Sequence, residues 1–182
     1  MYKILSSKDL IEVVFENKQE QLKKMASIGV YHEDTIFHGK FMTLEQIQKK
    51  NLAVLQYFGF NFSRKQIIQY LSECKITCDL LTKLTTDYKS DFYMISYLKN
   101  DSDTRNHEIA HYEYWKDSRI QKSIDSLYKS NPKLYQELEK DLVKLGYLKD
   151  VVPTEIYAFS KVYDSTLPRK LNCNLNKIKW KA

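Results

Sequence analysis

Asp91-Phe92-Tyr93-Met94-Ile95-Ser96-Tyr97-Leu98-Lys99 is the stretch on which the fold turns, because one polar turn separates it from His107-Glu108-Ile109-Ala110-His111. The first run is rich in aromatic and branched residues and apolar on both faces, which predicts a strand packed against the helix that follows. Asp101, Ser102 or Asp103 can N-cap that helix, and its pattern continues to about Lys116. Residues four apart share a helix face, so His107 and His111 can aim imidazole nitrogens at one point, with Glu108 leaning toward the same side. Nowhere else does the chain group residues that chemistry needs and packing does not.

Downstream, Ile120, Ile124, Leu127 and Tyr128 continue a helical stripe until Ser130-Asn131-Pro132 interrupts it. Pro132 suits the first turn of a further helix carrying Leu134, Leu138, Leu142 and Leu145, and Gly146 supplies its stop. Val151 to Ser160 predicts a short buried helix opening after Pro153 or Thr154, and beyond Tyr163 an irregular extension is expected. Upstream, the spacing of Leu10, Ile11, Val14, Phe15, Leu22 and Met25 predicts a helix from about Ser7 to Ile28, ended by Gly29. An extended connection over 30–41 holds His32 and His38, whose spacing fits neither a strand face nor a helical turn; both are expected at the surface or in hydrogen bonds. Thr43-Leu44-Glu45-Gln46 and Ser63-Arg64-Lys65-Gln66 each have capping-box form, opening helices over about 44–58 and from 64; another is expected over 76–86.

The 182 residues suit one domain: a helical N-terminal part (1–90), a metal-site core (91–160) and a C-terminal extension (161–182). The fold class expected is α+β, mostly helical, with a small sheet beside the His-bearing helix. No apolar run approaches the roughly 18 residues that span a bilayer, and the N-terminus lacks a signal-peptide core, so a cytoplasmic location is expected. Three cysteines, Cys74, Cys78 and Cys173, are an odd number, which argues against a disulfide framework; Cys74 and Cys78 are expected as buried helical thiols. The net charge of +6 invites a nucleic-acid partner, but lysines are interleaved with acids. The one basic cluster, Lys177-Ile178-Lys179-Trp180-Lys181, needs no partner as a solvated chain end.

Two histidines hold zinc poorly without a third protein ligand, and no His follows His111. A carboxylate must serve. Glu113 and Asp117 are too close along the chain, and Glu137, Glu139 and Asp141 lie among lysines beside an apolar stripe. Glu155 is set among Val151, Val152, Ile156, Ala158 and Phe159, where a carboxylate is costly unless paired or bound to metal. Ala158, one turn on, permits close approach of the two helices.

Taken together, His107-Glu108-x-x-His111 and Glu155-x-x-Ala158 resemble the gluzincin class of zinc metallopeptidases, including thermolysin-like enzymes, lethal-factor-like catalytic domains and small uncharacterised bacterial proteins with this motif. The resemblance covers about residues 91–160. It implies a zincin-like core, a peptide or protein substrate, and Zn²⁺ ligated by His107, His111 and Glu155. Glu108 would be the general base, with Tyr157 favoured over Tyr147, Tyr163 and Arg105 to stabilise the oxyanion. The strand over 91–99 would add an extended peptide as a further strand or serve as an interior strand. A zincin-fold protein without catalysis, acting as a macromolecule-binding module, is the alternative.

Overall fold

The computed structural model describes residues 1–162 and 167–178, which form two compact units, Met1–Glu108 and Ile109–Ala182.

In the first unit, β1 (Tyr2–Ser7) and β2 (Leu10–Phe15) form a hairpin with Lys8 in the left-handed region at φ 51°. Ile11, Val13 and Phe15 are buried while Leu10, Glu12 and Val14 are half-buried, a period of two. This corrects the helix expected from Ser7 to Ile28. The apolar positions matched helical spacing, but Ile11, Val13 and Val14 are β-branched and the stretch offers one buried face to a sheet. Helix α1 (Lys18–Glu33) starts afterwards, where the Asn17 side chain accepts the Glu20 N–H. Gly29 does not stop it. A Cβ there would stand 2.9 Å from side-chain atoms of both Phe60 and Val54, so glycine is needed for close approach.

Both capping boxes are present, opening α2 (Leu44–Lys50) and α3 (Arg64–Cys74). Asn51 turns left-handed at φ 50° and ends α2, so the helix expected to 58 gives way to a 3-10 turn at Ala53–Gln56 and a strand, β3 (Phe60–Ser63). Helix α4 (Asp79–Asp87) follows. Cys74 and Cys78, half-buried free thiols, lie at the end of α3 and just before α4, not along one helix.

The expected strand is β4 (Tyr93–Leu98). It pairs in parallel with β2 and antiparallel with β3, giving the order β1-β2-β4-β3. Residues 1–90, expected to be helical, thus supply three strands of the sheet. Because β4 is flanked on both sides, it cannot accept a peptide as an added strand; the edges are β1 and β3. One face of the sheet, with Ile11, Val13, Phe60, Phe62 and Met94, is buried with Met25 and Ile28 of α1. Each such fully buried side chain contributes about 1.5–3 kcal/mol. The other face carries Glu12, Asn61, Tyr93 and Tyr97 and receives the first turns of α5 (Ser102–Lys116), the helix of the H-E-x-x-H motif.

In the second unit, α6 (Ser118–Ser130), α7 (Pro132–Lys144), α8 (Val152–Lys161) and α9 (Arg169–Leu175) enclose their own core of Leu134, Leu138, Leu142, Ile156 and Ala158, shared by Ala110 of α5. Pro132 occupies the first turn of α7, and Gly146, at φ 101°, follows its end as expected. Helix α9 corrects the irregular extension: Leu171 and Leu175, one turn apart, are both buried. Tyr163, Asp164 and the Lys179-Trp180-Lys181 part of the basic cluster lie outside the described residues. No helix among the described residues is long and apolar enough to cross a membrane.

Candidate metal centre

Helix α5 begins where the Asp101 carboxylate accepts the Thr104 N–H at 3.0 Å and its hydroxyl at 2.7 Å, an N-cap of the expected kind. A second contact fixes the helix on the sheet. Arg105 Nε and Nη2 donate to the two carboxylate oxygens of Glu12 at 2.7 and 2.9 Å, and the Tyr97 hydroxyl donates to Glu12 at 2.6 Å. The bidentate Arg105 contact holds the Glu12 carboxyl below its usual range, against the opposing effect of burial. Burial and the same carboxylate push the Tyr97 hydroxyl up to about 12.

Continuing along α5, His107 is half-buried, Glu108 is 5% exposed and His111 is 2% exposed. Glu155, on α8, is 8% exposed. His107, His111 and Glu155 each offer a donor atom, and these atoms all lie within 4.8 Å of one another. His111 Nε2 and Glu155 Oε1 are 3.5 Å apart. Donors bound tetrahedrally at about 2.1 Å are separated by about 3.4 Å, so this pair already has the spacing a small divalent cation requires. The three residues proposed as ligands from the sequence are therefore brought together, and their imidazole and carboxylate donors fit zinc.

Thr154 contributes a contact that sequence reasoning missed. Its Oγ1 lies 2.8 Å from His111 Nδ1, so with Nδ1–H donating to the hydroxyl, Nε2 keeps a lone pair on the side facing Glu155. The only signal was its place immediately before Glu155 in a helix's first turn. Acids set aside from the sequence are engaged elsewhere: Asp117 caps α6, Glu137 accepts from Asn174 at 3.2 Å, Glu139 pairs with Lys149 at 3.3 Å and Asp141 with Lys170 at 3.6 Å.

Glu108 lies against β3. Asn61 Nδ2 donates to its Oε2 at 2.7 Å, and Asn61 Oδ1 in turn accepts from the Tyr93 hydroxyl at 2.5 Å. Gly59 stands under the same carboxylate so closely that a Cβ there would collide with it. Gly59 reads from sequence as a helix stop; its physical role is to leave room for Glu108. The Tyr157 hydroxyl donates to Glu113 at 2.9 Å, and burial is the main cause that pushes its pKa up. Two positions along α8 put Tyr157 about 200° round the helix from Glu155. Tyr112 and Trp115 stack with centroids 6.2 Å apart, and Tyr114 packs on Tyr157. His32 meets the Gln66 carbonyl at 3.0 Å and His38 the His32 carbonyl at 3.1 Å, as hydrogen-bonded residues away from the motif.

These features define an α+β protein with a His-His-carboxylate group, two of its members buried and His107 half-buried, and a glutamate beside the first histidine. Comparison with known protein families, with curated proteins and with solved structures finds no match for this chain.

Proposed function

We propose that this chain is a zinc-dependent hydrolase, a metallopeptidase acting on a peptide or protein. The observation that carries the reading is the convergence of His107, His111 and Glu155 donors within 4.8 Å, with one His ring already oriented by Thr154. When bound, zinc supplies Lewis acidity toward a water and a substrate carbonyl. His107, His111 and Glu155 hold it. Glu108 accepts a proton from the attacking water as the C–O bond forms, then delivers that proton to the amine nitrogen as the C–N bond breaks.

The edge strand β3 suits an extended peptide. Arg64 N–H bonds the Phe92 carbonyl at 2.8 Å, and in an antiparallel pair alternate residues turn to the partner. Phe60 and Phe62 therefore bond β4, while the backbone N–H and C=O of Asn61 point to the open edge. A peptide laid there gains main-chain hydrogen bonds beside Glu108. The oxyanion role expected of Tyr157 would require its hydroxyl to leave Glu113 and its ring to come round from the side of α8 opposite Glu155. Tyr157→Phe tests it: a lower kcat at unchanged zinc affinity supports the role, and an unchanged kcat removes it.

Protein purified without added metal is expected to carry about one equivalent of zinc; less than about a tenth, with no tight rebinding, would sink the site. Glu108→Gln should keep the zinc and lose at least about a hundredfold in hydrolysis of a peptide library. Zinc bound without hydrolysis by the wild type would favour the binding-module alternative.

A further inference from the structure

Glu108 is buried, and two residues of one short piece of chain, Gly59 and Asn61, stand against its carboxylate. Three observations meet there. Asn61 Nδ2 donates to Glu108 Oε2 at 2.7 Å; the Tyr93 hydroxyl donates to Asn61 Oδ1 at 2.5 Å; and Gly59 gives up its side chain to the space the carboxylate fills. The order of donors and acceptors has one consistent solution. A carboxylate only accepts, so the amide must turn its NH₂ to Glu108 and its oxygen to the phenol. Tyr93 is 7% exposed on an interior strand, so the residue that sets the amide is itself held by packing.

We propose that Asn61 is the positioning residue for Glu108, oriented by Tyr93 and seated by Gly59, so that one strand residue holds the base through its side chain and a peptide substrate through its backbone. This rests on the metallopeptidase reading above. Side chains and backbone groups of a strand project in different directions, so Asn61 can do both at once. The consequence is a fixed register between base and scissile bond. A misplacement of about 1 Å at such a group costs on the order of a hundredfold in rate. The backbone pairing that would bind the peptide survives loss of the Asn61 side chain, so binding and chemistry separate.

The test uses full-length zinc-loaded protein and the library peptide that the wild type cleaves fastest. Asn61→Leu, similar in size and without the donor, is expected to lower kcat at least about tenfold, with KM within about twofold and zinc affinity by chelator competition unchanged. Tyr93→Phe, which keeps the packed ring, should lower kcat in the same direction by less. Equal losses in KM and zinc affinity, or wild-type kcat in Asn61→Leu, would overturn the proposal. The side-chain amide signal of Asn61 in NMR spectra of metal-free protein gives a readout independent of turnover. It should be protected from solvent exchange and shift in both Glu108→Ala and Tyr93→Phe. An exchanging amide indifferent to both variants overturns the clamp. A clamp that passes in a wild type that binds zinc and cleaves nothing would sink the hydrolase reading and the base role with it, leaving the contact as structure alone.

Discussion

Thr154 and Glu155 are neighbours in the first turn of α8, and one reaches His111 Nδ1 while the other stands 3.5 Å from Nε2. The two faces of one imidazole are thus served by consecutive residues, which ties the tautomer of His111 to the placement of Glu155. Removing the hydroxyl while keeping the branch should free the ring to rotate. Thr154→Val is expected to weaken zinc about 10- to 100-fold, the usual effect of losing such an outer partner, while Thr154→Ser retains wild-type affinity. Competition with a chromophoric chelator measures both. Equal affinity in Val and Ser variants would show that Thr154 packs without orienting. Glu155→Ala should weaken zinc by more than Thr154→Val, since it removes a donor and leaves the two histidines to hold the ion alone.

At the scale of elements, what could be read in the sequence was what local chemistry decides. The two capping boxes, the cap of α5 by Asp101, Pro132 at the start of α7 and Gly146 after its end all depend on residues within one turn of each other. The candidate metal group was legible for a related reason: two of its residues share a helix face, and Glu155 is costly to bury without a partner. Partners decided by the sheet were not legible. Ile11, Val13 and Phe15 become a strand because β4 and β1 lie beside them, and Asn61 meets Tyr93 across 32 residues and Glu108 across 47. Gly29 distinguishes the two kinds of signal. Inside a helix, Gly→Ala stabilises by about 1 kcal/mol from propensity alone, but a methyl at 29 would meet Phe60 and Val54, 1% and 3% exposed, at 2.9 Å. Neither neighbour sits at the flexible end of a surface chain. Overpacking is expected to win, so Gly29→Ala should destabilise by about 1–3 kcal/mol in urea unfolding; a stabilised variant would mean that α1 slides at little cost.

For the molecule as a whole, net charge +6 says little about stability, and two half-buried contacts in the first unit, Glu12 with Arg105 and Lys18 of α1 against two phenylalanine rings, shape how it responds to pH. On the acid side, the folded Glu12 carboxyl lies below its ordinary value through Arg105. Its contribution is present above the unfolded value of about 4.3 and is lost as pH falls through the lower folded value. Glu12→Gln should therefore flatten the acid limb of the stability curve. On the alkaline side, Lys18 lies 4.9 Å from the Phe58 ring centre and 5.9 Å from that of Phe60, and burial lowers its pKa to about 8. With a folded value below the unfolded one of about 10.4, the unfolded chain binds more protons in the interval between them, so stability rises with pH there. Below about 8 both states are charged and the full cost of burying the ammonium stands. Above about 10 the trend reverses, because Tyr97, raised to about 12, keeps its proton in the fold and loses it unfolded. The Lys18 contribution thus changes between about pH 8 and about 10.4, with Tyr97 opposing it at the upper end. Lys18→Met removes the charge and keeps the length of the chain over the two rings. It should unfold at higher urea than the wild type near pH 7, with the gap narrowing above about pH 8 and closing as pH approaches about 10.4. Parallel curves across that window would mean that Lys18 reaches water in the folded state, and that the start of β3 beside Phe58 is more open than its packing indicates.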